Sequence, residues 1–386
     1  MKILLTGGGS GGHIAPILAV ARELKRSMPS CRLIYVGQRG DGLIDIVREH
    51  PAIDVVELVS AGKLRRYSGE GWRQLLDVRT QALNVRDVQR TVRGVGQAYR
   101  LLKKHRPNVV FTRGGFVSVP VALAAKLRGV PYITHDADSL PSLANRLIAP
   151  WAATHIVALP PEIYPYPPEK TQMLGIPADP EYRPVDAAAQ AAFRTQLGLN
   201  TYKWVVLVTG GGNGARLLNL QTVANTQYLL SRYPGLVIVH TTGRALEAET
   251  VAAYDALDLG KARERVRVYG FVTDFYRYSG AADVIVARGG MSSLNEFALQ
   301  HKAYLLVPSK QLSWNVKNSR ALAERGAVRE LSEDHAEQPE RLGRTIGALL
   351  DDEVERHALG AALAPFGRPS AAADIAAVIQ AVGKGS

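Results

Sequence analysis

The sequence predicts an α/β protein built from two Rossmann-like parallel-sheet domains in tandem. Three observations carry that prediction. Short apolar runs alternate with helical patterns along the chain, as when parallel strands are joined by crossover helices. A strand, glycine loop and helix occur in succession once in each half, at Gly7–His13 and at Gly210–Gly214. The chain has 386 residues, more than the ~250–300 at which a single core stops growing.

The first strand is Lys2 to Thr6, followed by Gly7-Gly8-Gly9-Ser10-Gly11-Gly12-His13. Ile17, Leu18, Val20, Ala21 and Leu24 then recur near the 3.6 period of a helix. Leu33 to Gly37 and Val55 to Val59 read as the second and third strands. Trp72 to His105 is helical and basic, Pro107 to Thr112 a strand, Gly114-Gly115 a turn, Val119 to Leu127 a helix and Pro131 to His135 a strand. The proline-dense run Leu159 to Pro168 suits neither helix nor central strand, since proline fixes φ and lacks a donor. It marks the approach to a domain boundary. The pattern restarts after Leu199 with the strand Val205 to Thr209, Gly210 to Gly214, a helix from Ala215 and the strand Leu236 to His240. The Ala-rich stretch Ala361 to Ala377 reads as a terminal helix. We therefore expect an N-terminal domain over 1–165, a C-terminal domain over 175–366, and a final helix at about 367–386 that packs back on the first domain.

Composition narrows the class. Hydrophobic residues make up 46% and charged residues 21%, a folded rather than disordered profile. A net charge of +12 suits a polyanionic partner. Cys31 stands alone, which precludes an intrachain disulfide and favours a reducing compartment; its apolar neighbours mark it as a buried structural thiol. The N-terminus lacks a signal-peptide pattern, and no run of 18 apolar residues exists to span a bilayer.

Three clusters carry chemistry. A glycine loop between strand and helix lets backbone N–H groups approach an anion, and Gly7 to Gly12 and Gly210 to Gly214 both offer this. Gly7, Gly9 and Gly12 also fit a dinucleotide fingerprint, but Gly37-Gln38-Arg39 stands where the ribose-binding acid belongs. His13, at the start of the following helix, is either a capping residue or a base, as histidine titrates near neutrality. The third cluster runs from Arg288 to Glu296 and follows the apolar strand Asp283 to Ala287. Its small residues suit phosphate at a helix N-terminus. Glu296, on that helix, is either a solvated side chain or an acceptor for two ribose hydroxyls.

Together these pieces resemble the MurG family, the N-acetylglucosaminyltransferases of bacterial peptidoglycan synthesis in glycosyltransferase family 28. The likeness runs along most of the chain. It rests on Gly7–His13 with Pro16 and Leu18–Ala21, on Gly114–Ser118 with Pro120, and on His135. It continues through Gly210-Gly211, Gly214–Arg216, Asn219, Phe271-Val272, Arg288, Gly290, Glu296 and Asn318.

The resemblance implies a GT-B fold, two Rossmann-like domains facing across a cleft, with the nucleotide held mainly by the C-terminal one. It implies inverting transfer of N-acetylglucosamine from a UDP-sugar donor to lipid I, a polyprenyl-diphosphate acceptor, giving lipid II. The place implied is the cytoplasmic face of the cell membrane, in a process that sustains cell shape and division. Neither a metal nor another cofactor is expected. By the same resemblance His13 is the catalytic base. Ser10, Gly11, Gly12, Asp138, Gly212, Asn213, Asn219, Val272, Arg288, Met291, Ser292, Ser293, Glu296 and Asn315 are donor-binding positions. Phe116 and Asp136 face the acceptor. Val272 would meet uracil through its backbone and Glu296 the ribose.

The chain departs from the family around the donor. His135-Asp136-Ala137-Asp138 stands for His-Glu-Gln-Asn, so Asp138 replaces an amide that both donates and accepts with a carboxylate that only accepts. Asp179 follows Pro177-Ala178 where the family places arginine. Gly212-Asn213 replaces Ser-Gln, and Trp314-Asn315 a pair of glutamines. These changes leave open a different donor sugar or lipid acceptor; a non-catalytic protein that binds anionic lipid is the further alternative, but it leaves the paired glycine loops and His13 unexplained. Asp136-Ala137-Asp138 also reads as the D-x-D of metal-dependent transferases, but lies in the wrong domain for that role.

The basic stretch Lys63 to Arg106, interleaved with Leu64, Tyr67, Trp72, Leu75, Leu76 and Leu83, is either a solvated helix face or a seat for anionic lipid headgroups. Beside a polyprenyl-linked acceptor we expect the latter. Nucleic acid is not expected, since no zinc-finger, RNA-binding or helix-turn-helix signature accompanies the charge.

Overall fold

The structure is a computed structural model that describes residues 1–8, 11–41, 44–62 and 78–385; for 11–13 and 78–82 it describes the backbone alone. Two compact units divide the chain, Met1–Asp179 with Arg368–Ser386, and Pro180–Gly367.

In the first unit β1 (Lys2–Thr6), β2 (Arg32–Gln38), β3 (Val55–Val59), β4 (Val109–Thr112), β5 (Tyr132–Asp136), β6 (Thr154–Val157) and β7 (Thr171–Met173) form one sheet, in the order β3-β2-β1-β4-β5-β6-β7. Every pairing is parallel. Its helices are α1 (Gly11–Ser27), α2 (Ile44–Arg48), α3 (Val78–His105), α4 (Ser118–Leu127) and α5 (Leu143–Ile148). Because helices cover both faces, strands such as Leu33 to Val36 are apolar at every position and buried throughout.

In the second unit α6 (Ala187–Gln196) precedes β8 (Trp204–Thr209), α7 (Arg216–Arg232), β9 (Leu236–Thr241), α8 (Glu247–Asp255), β10 (Val266–Tyr269), α9 (Phe275–Ala281) and β11 (Val284–Ala287). Then come α10 (Met291–Leu299), β12 (Tyr304–Leu306), α11 (Ser313–Ala323), β13 (Arg329–Glu330), α12 (Glu333–Ala336), α13 (Arg341–Asp351) and α14 (Glu353–Leu363). The sheet order is β10-β9-β8-β11-β12-β13, again parallel. The apolar runs did not disclose α6. It starts where the Asp186 carboxylate accepts the Ala189 N–H at 2.8 Å, an N-cap that satisfies a donor the helix leaves open.

The Ala-rich tail is not the one helix expected over Ala361 to Ala377. It breaks after α14 into a 3₁₀ turn, Ala364–Phe366, and resumes as α15 (Ala371–Lys384). Pro365 and Pro369 cause the break, since each removes a backbone donor and clashes with the preceding turn. α15 belongs to the first unit. Ile375, Ala376 and Ile379 are buried with Ile14, Ile17 and Val20 of α1 and with Ile3 and Leu5 of β1, and the Gln380 amide donates to Ser27 Oγ at 2.7 Å. Each fully buried isoleucine contributes about 1.5–3 kcal/mol, so this helix is an integral layer of the unit.

The strand order reverses at the same place in each sheet. β1 lies between β2 and β4, and β8 lies between β9 and β11. At such a reversal the loops beyond the strand ends diverge and open a crevice for ligand.

Candidate active site

At the reversal point of the first unit two glycine turns touch. β1 runs into Gly7-Gly8, and β4 runs into Arg113-Gly114-Gly115. Gly115 has φ +82°, and a Cβ there would lie 2.9 Å from the Gly8 carbonyl oxygen. A side chain would force the turns apart. Tyr35 braces the place from β2, its hydroxyl donating to the Gly7 carbonyl. Ser118 Oγ closes the second turn by donating to the Gly114 carbonyl at 2.5 Å.

Behind these turns lies a buried polar cluster that the sequence disclosed only in part. Arg113 is 5% exposed. Its guanidinium donates to His135 Nδ1 at 2.9 Å, and His135 Nε2 donates to the Gly175 carbonyl at 2.9 Å. Arginine has no acceptor, so these contacts select the neutral His135 tautomer protonated at Nε2. Asp136 accepts from the Tyr166 hydroxyl at 2.7 Å and from the Ser142 N–H at 3.4 Å. Burial pushes the Asp136 carboxyl up to about 6, because a charge loses its hydration there. Burial lowers Arg113 to about 10, against the opposing pull of Asp138 and Asp136; it remains a cation at neutral pH. The Arg113 guanidinium thus acts as a cation on Asp136 and Asp138. Phe116 lies half-buried just past Gly115. Ser10 is outside the described residues. The backbone of Gly11, Gly12 and His13 opens α1, and the His13 side chain is outside the described residues.

The second unit repeats the plan. The loop Gly210–Gly214 leaves β8 and closes on itself, with Gly211 N–H donating to Thr209 Oγ1 at 3.2 Å and Gly214 N–H to the Gly211 carbonyl at 2.9 Å. Gly212 and Asn213 are exposed at its tip. Asn219 stands behind it, buried. Its amide donates to the Thr242 carbonyl at 3.0 Å, and its Oδ1 takes a bond from His240 Nε2 at 3.0 Å. His240 Nδ1 in turn meets the Tyr254 hydroxyl at 2.9 Å. Burial holds His240 down at about 3, so it serves as a neutral bridge. Asn219 therefore ties α7 to the end of β9, at the Thr242 carbonyl that lies beside Gly214.

Beyond β11 the chain again reads Arg-Gly-Gly. Asn315 and Asn318 both donate to the Gly289 carbonyl at 3.2 Å. Arg288 is held 3.8 Å from the buried Glu333, whose other oxygen accepts the Lys310 N–H at 2.8 Å. Gly290 caps α10 with no side-chain bond, so the N–H groups of Met291, Ser292 and Ser293 stand at a helix N-terminus, where an anion is favoured. Met291 is buried; Ser292, Ser293 and Glu296 are half-buried on α10. Val272 is half-buried in the loop after β10, next to Phe271, whose exposed ring lies 4.3 Å under the Arg244 guanidinium. No motif in the sequence marks Tyr166, Arg244 or Glu333, and Arg113 is marked only weakly. One signal was available: Arg-Gly-Gly follows a central strand in both halves.

The Lys63–Arg106 stretch is described only from residue 78 on, so Leu64, Tyr67, Trp72, Leu75 and Leu76 lie outside the described residues. On α3, Val85, Val88 and Val92 are exposed beside exposed Arg86, Arg90 and Arg93. Among the described residues no helix is long and apolar enough to cross a membrane.

Family models for the Glycosyltransferase family 28 N-terminal and C-terminal domains match residues 3–157 and 205–375. The chain is 31% identical over 391 residues to the UDP-N-acetylglucosamine--N-acetylmuramyl-(pentapeptide) pyrophosphoryl-undecaprenol N-acetylglucosamine transferase of Desulforudis audaxviator, covering all of both. To the protein of the same name from Symbiobacterium thermophilum it is 32% identical over 393 residues, covering 100% of this chain and 97% of that one. Among solved structures, Acinetobacter baumannii MurG superposes with a TM-score of 0.76 at 20% identity, over 98% of this chain and 99% of that one. That likeness shows the fold: two Rossmann-like domains of the GT-B glycosyltransferase plan.

Proposed function

This chain belongs to glycosyltransferase family 28, and we propose that it moves N-acetylglucosamine from UDP-N-acetylglucosamine to lipid I, making lipid II. The observation that supports this reading most is the full-length likeness to transferases of that name. The two sheets, each with glycine turns at its reversal point, supply suitable machinery.

In this reading the second unit holds the nucleotide. The α10 N-terminus and the Gly210–Gly214 backbone meet the diphosphate, Val272 the uracil and Glu296 the ribose. In the first unit Phe116 and Asp136 meet the acceptor. The acceptor hydroxyl attacks the sugar C1, a C–O bond forms, the bond from C1 to the diphosphate oxygen breaks, and His13 takes the hydroxyl proton. N–H groups at the helix N-terminus stabilise charge growing on UDP.

The surface of α3 supports a peripheral seat on the cytoplasmic membrane face. Val85, Val88 and Val92 follow helical spacing and so form one stripe. With arginines around it, such a stripe suits an anionic bilayer, where each nearby cation is worth about 1 kcal/mol.

A second reading keeps the fold and changes the donor. Asp138, in the field of Arg113, stands where the family has an amide. A donor screen separates the two, with the lipid acceptor dispersed in anionic or zwitterionic vesicles. We expect UDP release from UDP-N-acetylglucosamine, several-fold faster on anionic vesicles. Turnover of UDP-glucose or UDP-N-acetylgalactosamine in its place would favour the second reading, and equal rates on both vesicles would count against the α3 surface.

A further inference from the structure

We propose that Tyr166 is a positioning residue that keeps Asp136 available as a hydrogen-bond acceptor toward the incoming acceptor substrate. The inference rests on the reading that Asp136 faces that substrate. Tyr166 sits in the proline-dense segment, which the sequence marked only as a boundary. Instead of a loose connector, the segment delivers two buried tyrosines to the end of the first sheet.

Tyr166 is held from several sides. Its ring stacks on His155 of β6 at 4.0 Å and 9°, and lies parallel to Tyr164 at 6.2 Å. The Tyr164 hydroxyl accepts the Leu159 N–H at 3.3 Å. Pro165 and Pro167 flank Tyr166 and fix φ on both sides. The phenol therefore arrives ordered, and its hydroxyl donates to Asp136 Oδ2 at 2.7 Å.

The Asp136 carboxyl needs that bond. It is 5% exposed, and burial disfavours its charge. Tyr166, the Asn145 side chain and the Ser142 N–H favour the charge by hydrogen bonding, while Asp138 opposes it. Arg113 faces the pair from the end of β4, and Tyr164 and Arg146 face the Tyr166–Asp136 contact. His155 is held low, at about 4, by burial and Lys170, so it adds no charge near neutral pH. The carboxyl stands at about 6 with these donors in place, and loss of one of them raises it further. Protonated, it becomes a donor on one oxygen and cannot accept there from a substrate hydroxyl or amide.

Activity that needs ionised Asp136 is present above its pKa and lost as pH falls through it. Removing the Tyr166 hydroxyl raises that pKa, so the acid limb moves up. In the full-length enzyme, Tyr166→Phe is expected to shift the acid limb of kcat/KM for a lipid I analogue upward by about one pH unit. Near pH 6 the rate falls several-fold and by pH 8 it recovers, with KM for the UDP-sugar unchanged. Incorporating 3,5-difluorotyrosine at position 166, a stronger donor of the same shape, is expected to move the limb down. An unmoved limb in both variants overturns the proposal. Asp136→Asn separates this from failure of the underlying reading. If Asp136→Asn keeps wild-type acceptor kinetics and the wild-type acid limb, Asp136 does not face the acceptor. If it loses acceptor kcat/KM while the limb in the Tyr166 variants stays put, only the role of Tyr166 falls.

Discussion

Replacing His13 by alanine is expected to lower turnover by ~10²–10⁴-fold, the usual contribution of general-base catalysis, while UDP still binds. His13 lies in the first turn of α1, straight after the glycine loop of β1. That is the crevice side of the sheet, since ligands collect beyond the carboxyl ends of parallel strands. A histidine at that place can take the hydroxyl proton as the new C–O bond forms. The nucleotide, in the proposed function, meets backbone and side chains of the second unit, far along the chain from His13. The two effects should therefore separate. Turnover comes from UDP release, and UDP affinity from calorimetric titration. Wild-type turnover in His13→Ala would remove it as the base, and lost UDP binding would make it a ligand residue.

Gly214→Ala is expected to destabilise the second unit by about 3 kcal/mol or more and to abolish UDP binding. Gly214 has φ +75°, and a Cβ there would lie 2.0 Å from the Thr242 carbonyl oxygen. The left-handed conformation alone costs a non-glycine residue about 1–2 kcal/mol. The clash cannot be relieved by rotating a side chain, because the obstructing atom is backbone. Thr242 is itself pinned, its carbonyl accepting from Asn219 and its N–H donating to the Tyr269 carbonyl at 2.9 Å. Movement would propagate from β8 to β9 and β10. For a domain of 150–250 residues each kcal/mol moves Tm by about 2–4 °C, so a fall of roughly 6–12 °C is expected in the transition that UDP stabilises. The neighbouring Gly212→Ala, where a Cβ meets nothing within 4 Å, is the control for stability. If both variants melt alike, the close approach at Gly214 carries no weight.

The fold was legible where physics is local. Val205 to Val208 and Leu33 to Val36 are strands buried on both faces, so every position is apolar and the run stands out. The glycine turns were legible for the same reason, since each serves a backbone need within a few residues. What stayed hidden depends on partners distant in sequence. Nothing near Arg113 announces His135, and nothing near Tyr166 announces Asp136. Glu333 gains meaning only when β13 and α12 bring it to Arg288. The alanine-rich tail misled because alanine favours helix everywhere, whereas Pro365 and Pro369 decide where the helix stops. Asn219 stands at a position that the family resemblance marks, and its side chain bonds Thr242 and His240, partners visible only in three dimensions.

Sugar transfer to a lipid-linked acceptor shows itself in the mass of the product. Purified protein, UDP-N-acetylglucosamine and a lipid I analogue are incubated and the lipid fraction is weighed by mass spectrometry. The analogue is expected to gain one N-acetylhexosamine residue, with one UDP released for each product formed and with the transfer strongly reduced in His13→Ala. UDP release without a heavier lipid, or an analogue that gains a different sugar when other UDP-sugars are supplied and none from UDP-N-acetylglucosamine, would contradict it.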